Sequence, residues 1–155
     1  MLKKTAIGIV VLLLLLQLVR PQQNQAVVIK GTTVQSLGTT TPQVQAVLEK
    51  ACTDCHSNNT KYPWYHRIQP VAGWLDAHVD DGKRHLNFDI YATYSAQKAA
   101  HKMDEVAAQI ESGEMPLKSY VWLHPQAKLS ATEKQLLIDW AHRTKAALQQ
   151  QAHTP

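Results

Sequence analysis

Ala51-Cys52-Thr53-Asp54-Cys55-His56-Ser57-Asn58 holds the only two cysteines of the 155-residue chain, and a histidine follows the second of them at once. Upstream, Thr41 and Pro42 read as an N-cap and a first helical residue. Val44, Val47, Leu48 and Ala51 then recur at helical spacing up to the motif. Downstream, Asn58, Asn59 and the pair Tyr62-Pro63 mark a loop. Two thiols and an imidazole are thus gathered where a helix runs out.

Cys-x-x-Cys-His is the attachment signature of c-type haem. Cysteines three apart at a helix end can reach the two vinyl groups of one porphyrin, and the next histidine is forced under the ring, within reach of the iron. Three other readings compete. A Cys52–Cys55 disulfide suits an oxidising compartment. A thioredoxin-like redox pair needs a βαβ context, whereas the flanks here are helical. A structural zinc site could use Cys52, Cys55, His56 and a further histidine, but such sites are normally built from two separated ligand pairs, and there is no second cysteine pair.

Working outward, a second helix fits Pro70 to Val79, with Val71, Trp74, Leu75 and His78 on one face and Asp80-Asp81-Gly82 as its stop. Lys83 to Tyr94 has no clear period. A third helix spans Ser95 to Ser112, with Ala99, Met103, Val106, Ala107 and Ile110 as its apolar stripe and Gly113 after it. Glu114 to Leu129 reads as loop. The last helix opens on a capping box, Ser130-Ala131-Thr132-Glu133, with Leu136, Leu137, Trp140, Ala141 and Leu148 facing inward. The expected fold is a small, all-α, cytochrome c-like domain of about four helices over residues 42–150. Its long loops call for something to wrap.

Two segments precede that domain. In residues 1–20, Lys3 and Lys4 lead into an apolar run from Ala6 to Val19, closed by Arg20 and Pro21. This is the pattern of a signal peptide or signal-anchor, read here as a membrane anchor, although the run is short for a span. The positive-inside rule then places the remainder on the periplasmic side of a bacterial inner membrane, or free in the periplasm after cleavage. Residues 21–41 read as a polar tether, with only a weak strand pattern at 26–29. The net charge of +4 comes largely from the first 20 residues. The rest holds 13 basic and 12 acidic residues, which gives nucleic-acid binding no electrostatic support.

The second axial ligand comes from a short list. Met103 lies on the core stripe of its helix and reads as packing. Met115 lies in a loop just past Gly113 and is stiffened by Pro116. His124, before Pro125, is its main rival. His66, His78 or His124 would act beside the iron if the distal site were open. His101, His142 and His153 read as surface or tail residues. Trp64, Tyr65, Ile68, Trp74 and Leu75 are expected to wall the haem. Arg67, Lys83, Arg84 and His85 are candidates to pair with its propionates or to form a solvated basic loop.

Several stretches together resemble the bacterial haem-binding domain family, of c-type cytochrome character. They are Cys52 to Thr60 with Tyr62-Pro63-Trp64-Tyr65, Arg84-His85-Leu86-Asn87-Phe88, Gly113-Glu114-Met115-Pro116-Leu117, His124 to Leu129, and Leu137-Ile138-Asp139-Trp140-Ala141. The likeness covers about residues 42–142. More broadly the layout is similar to class I cytochromes c, which implies His56 as proximal and Met115 as distal iron ligand. The long insertion from Tyr62 to Tyr94 departs from a minimal cytochrome c. The reading that follows is an electron carrier with one covalent haem c per chain and transient redox partner proteins. A peroxidase-like haem enzyme or gas sensor is the alternative.

Overall fold

The computed structural model describes residues 1–152; its regular secondary structure there is helical, with one isolated bridge, Gln25 to Asn59, and no strand among the described residues. Seven α-helices follow in order: α1 (Leu2–Leu16), α2 (Pro42–Ala51), α3 (Thr53–His56), α4 (Val71–His85), α5 (Ala96–Ser112), α6 (Lys118–Leu123) and α7 (Ala131–Ala152). The all-α expectation therefore holds for the domain, with the short helices α3 and α6 added to the four expected.

The core forms where α5 and α7 pack along each other and α2 crosses α7. Val44 and Leu48 of α2, Met103 of α5, and Leu137, Trp140 and Thr144 of α7 are fully buried there. Tyr91, from a 3₁₀ turn at Phe88–Thr93, joins them and donates its hydroxyl to the Ala99 carbonyl at 2.5 Å. The apolar spacing on α2, α5 and α7 decides which face each helix buries, and burial of those side chains drives the packing.

The caps follow their sequence signals. Thr41 Oγ1 accepts from the Val44 amide at N-terminal α2, and Gly113 ends α5 in the left-handed region at φ 74°. At α7, Ser130 Oγ accepts from the Glu133 amide (3.2 Å) while Glu133 Oε2 accepts from the Ser130 amide (2.8 Å). Lys50 of α2 also meets Glu133, at 2.5 Å. The Lys50 contact and the Ser130 bonds hold the Glu133 carboxyl down at about 2. A depressed carboxyl stabilises the fold above its ordinary value near 4.5, and that contribution fades as pH falls towards about 2. Ser130→Ala should cost about 1 kcal/mol in denaturant unfolding at neutral pH. Glu133→Gln should cost less than about 1 kcal/mol, with the difference from wild type vanishing near pH 2.

Two expectations change here. The N-terminal segment forms α1, but at 15 residues it is about 22 Å long against a hydrocarbon core of about 30 Å. No helix among the described residues is long and apolar enough to cross a membrane. This overturns the membrane anchor, and with it the anchored position at the periplasmic side of the inner membrane. Residues 21–41, expected as a tether, are laid onto the domain. Asn24 Nδ2 donates to the Ser57 carbonyl (2.8 Å), Thr32 Oγ1 to the Asp89 carbonyl (2.6 Å), and Val34 is fully buried in the core. Their polar side chains look unspecific in sequence because their partners lie 30 to 60 residues away, in the loops that follow the cysteine motif.

The second helix also outruns its expected end. Gly82 reads as a stop, yet α4 continues through it to His85. A Cβ on Gly82 would stand 2.6 Å from the Cys55 carbonyl oxygen and 3.1 Å from Cys55 Cβ. The glycine is there to let α4 press against the cysteine motif.

Candidate functional site

Cys52 ends α2 and begins α3. Its carbonyl accepts from the Cys55 amide (3.2 Å) and the His56 amide (3.0 Å), so one tight turn positions both sulfurs and the imidazole. Both cysteines are free thiols, which leaves the disulfide reading without support. Burial, and then the neighbouring Cys55, push the Cys52 thiol up to about 12. Burial, and then Asp54, push Cys55 up to about 11. Both are therefore protonated at neutral pH, unlike the low-pKa thiolate of a redox-active pair. No three His, Cys, Asp or Glu side chains converge as a metal cluster among the described residues, so the zinc reading finds no ligand set either.

His56 is oriented from behind. Its Nδ1 lies 3.0 Å from both the Gly82 and the Leu86 carbonyl oxygens, the last turn of α4. Two acceptors require Nδ1 to carry the proton, which makes Nε2 the lone-pair nitrogen. Burial lowers its pKa and outweighs the opposing pull of the two carbonyls, so the ring is neutral. This is the state of a metal-binding histidine with its outer nitrogen held by backbone. The ring stands edge-on to Phe88 at 6.2 Å, and Phe88 in turn lies 6.3 Å from Trp140, tying the motif to the core.

In front of this turn lie two adjoining hollows of about 450 and 230 Å³. Cys52, His56, His85, Met115 and Pro116 line both. The larger is otherwise mainly apolar, with Leu48, Phe88, Val106, Ile110 and Leu137 on its walls. The smaller adds Cys55, His78 and Tyr120. Met115 sits opposite the cysteine turn in sequence yet shares the cleft with it. Its amide donates to the Gln109 carbonyl (3.1 Å), which holds its loop against the end of α5. Tyr120 anchors the other side, donating its hydroxyl to Asp54 Oδ2 at 2.7 Å.

The remaining candidates scatter. Trp64 is 76% exposed, and Trp74, 42% exposed, lies against His78 at 4.3 Å; neither lines the cleft. Tyr65, Ile68 and Leu75 do not line it either. Arg67 is exposed, and its carbonyl accepts from Arg20 (2.8 Å), beside the seam where Gln17 meets Gln69. Arg84 is exposed and pairs with Asp81 (2.7 Å), while Lys83 donates to Asn24 at 2.5 Å. Of the proposed propionate partners only His85 reaches the cleft. Met103 is fully buried in the core. His124 bonds Tyr65 (3.2 Å) and stacks on Tyr120, and buried His66 meets Asp76 (3.3 Å), so neither faces the cleft. His101 and His142 are exposed, and His153 lies outside the described residues. The wall that the sequence reading sought after the motif comes instead from α2, α5, α7 and the Phe88 turn. The apolar stripes of those three helices had already been assigned to the core, the Phe88 turn lies in a stretch without a clear period, and nothing local separates cleft from core.

Two free thiols on one turn, a neutral imidazole offering one nitrogen, a thioether and a mainly apolar hollow form a set that fits haem. The larger hollow, about 450 Å³, falls in the range of ligand pockets, about 300–1,000 Å³, and the smaller adjoins it. No curated protein and no solved structure matches the chain significantly. The model of one protein family does match, the haem-binding domain, over residues 11–143. That span takes in α2 to α6, most of α7, and every residue lining the cleft, so the chain belongs to the haem-binding domain family and is a haem-binding protein.

Proposed function

We propose that the chain is a mono-haem c-type cytochrome that passes single electrons between transient partner proteins. In this reading Cys52 and Cys55 would hold the haem by thioether bonds, and His56 and Met115 would bind its iron. The observation that carries it is the neutral His56, with Nδ1 taken by the Gly82 and Leu86 carbonyls, in one cleft with both cysteines and Met115. Bound there, haem supplies a one-electron ferric–ferrous couple.

The chain's own part is to hold, orient and shield. The α4 carbonyls keep the imidazole from turning, and hydrogen bonding at Nδ1 raises the basicity of Nε2. A thioether ligand favours the reduced state and raises the potential. Leu48, Phe88, Ile110 and Leu137 keep water from the larger hollow. The two hollows are partly open to solvent, which gives a partner an approach to the cofactor.

Optical spectra of the protein produced in a host that matures c-type haem, followed by a pyridine haemochrome assay and a haem-stained denaturing gel, test the proposal. Sharp reduced bands of a six-coordinate c-type haem, one per chain, with a long-wavelength sulfur-to-iron band when oxidised, are expected. Met115→Ala should keep the haem attached, abolish the sulfur band and lower the potential. It should also open the iron to carbon monoxide. A Met115→Ala spectrum and potential identical to wild type would remove Met115 from the site. Haem that is lost on denaturation would refute covalent attachment.

A further inference from the structure

The two hollows differ in a way that orients the cofactor. The smaller contains both cysteines, whereas the larger is lined by Cys52 and not by Cys55. A haem anchored through its vinyl edge would place that edge at the smaller hollow. Its carboxylates, on the opposite edge of the porphyrin, would then enter the larger one. The polar side chains found only in the larger hollow are Lys102, Glu105 and Gln109, all on α5. Their spacing of three and seven residues puts them on one helix face. Lys102 is the one Lys or Arg lining either hollow. Its side chain is only 15% exposed and is held by Glu105 at 2.6 Å. Glu105 also meets His101 at 3.1 Å, so its charge is already engaged.

We infer that Lys102 is the counter-charge for the carboxylates of the haem, fixing the edge of the cofactor opposite the thioethers. The inference rests on the haem reading above. Glu105 pairs the Lys102 charge through one ammonium proton, and a lysine has three donors to offer, so a second anion can join it. Arg67, Lys83 and Arg84 are directed elsewhere. The other titratable groups lining the two hollows, besides the two cysteines, are His56, Asp81 and His85 on the α3–α4 side and Glu105 on α5, with Asp54, His78 and Tyr120 at the smaller hollow.

The experiment compares the reduction potential of the holoprotein across the acid-to-neutral range for wild type, Lys102→Gln, Lys102→Arg, Glu105→Gln and Lys145→Gln. Lys145 pairs with Asp104 (2.8 Å) and lines neither hollow, so its replacement removes one positive charge outside the site. Lys102→Gln should lower the potential and move its pH-dependent step up by about one to three units, because a carboxylate that loses a nearby cation is harder to ionise. Lys102→Arg should restore the wild-type profile. Glu105→Gln, which frees Lys102 for the cofactor, should move the step the opposite way. A Lys102→Gln profile that only tracks Lys145→Gln, or a Glu105→Gln step that does not move from its wild-type position, would overturn the inference while leaving covalent haem intact. A wild-type chain without covalent haem would overturn the parent reading instead, and the denaturing gel shows which has failed.

Discussion

Replacing Cys52 and Cys55 together by alanine should abolish the haem stain on a denaturing gel and leave at most a dissociable haem. Each single variant should retain one thioether and so keep a covalent, spectrally shifted haem. The effect would be all-or-none because, in the proposed site, His56 and Met115 would hold only the iron, and such bonds do not survive denaturation. The consequence for stability should be visible as well. The larger hollow, about 450 Å³, borders Leu48, Phe88 and Leu137 of the core. A group bound to the folded chain and not to the unfolded one stabilises the former by mass action. The double variant should therefore unfold at lower temperature than the holoprotein by calorimetry, with its helical circular dichroism largely kept at low temperature, since the extensive packing of α5 against α7 is retained. Haem stain persisting in the double variant would place the attachment outside this motif.

Gly82→Ala should strike the same site from behind. The added methyl group would lie 2.6 Å from the Cys55 carbonyl oxygen, and a backbone oxygen cannot swing aside as a side chain can. Relief requires α4 to back away from the cysteine turn, which lengthens both bonds from His56 Nδ1 to the Gly82 and Leu86 carbonyls. Overpacking of this kind costs about 1–3 kcal/mol, a fall of roughly 2–4 °C in Tm per kcal/mol at this chain length. Weaker support at Nδ1 makes Nε2 less basic, so the ferric form loses more than the ferrous and the potential should rise. Gly73→Ala, on the same helix, is the control. Its Cβ would meet only the flexible Gln69 side chain, at 3.4 Å. Gly73→Ala should be neutral or stabilising by up to about 1 kcal/mol, from helix propensity alone. Equal behaviour of the two variants in thermal melts and potentiometry would show that α4 is not what orients His56.

Much of the architecture was legible one segment at a time. Thr41-Pro42, the stripe from Ala99 to Ile110 with Gly113, and the Ser130–Glu133 box each signal through residues within a turn or two, and local signals of that kind survive folding. The cysteine motif is equally local: Cys52, Cys55 and His56 share one turn because four residues of helix allow little else. Signals that depend on distant partners were misread. Gly82 has the composition of a helix stop and is a contact point, a difference created by Cys55, 27 residues away. The Glu114–Leu129 loop contains α6, whose Tyr120 is held by Asp54. The apolar run at the N-terminus had the character of an anchor and lacked the length of one.

By itself, then, the sequence determined the helical class, the placing of two thiols and an imidazole on one turn, and Met115 as a thioether in a loop. Only the tertiary structure decided that His56 is held neutral by the α4 carbonyls, that Met115 shares its cleft, and that Lys102 rather than Arg67 or Arg84 faces the hollow. The reason is physical. Spacing along a helix specifies which side chains share a face, but which neighbour that face meets is set by packing between helices far apart in the chain.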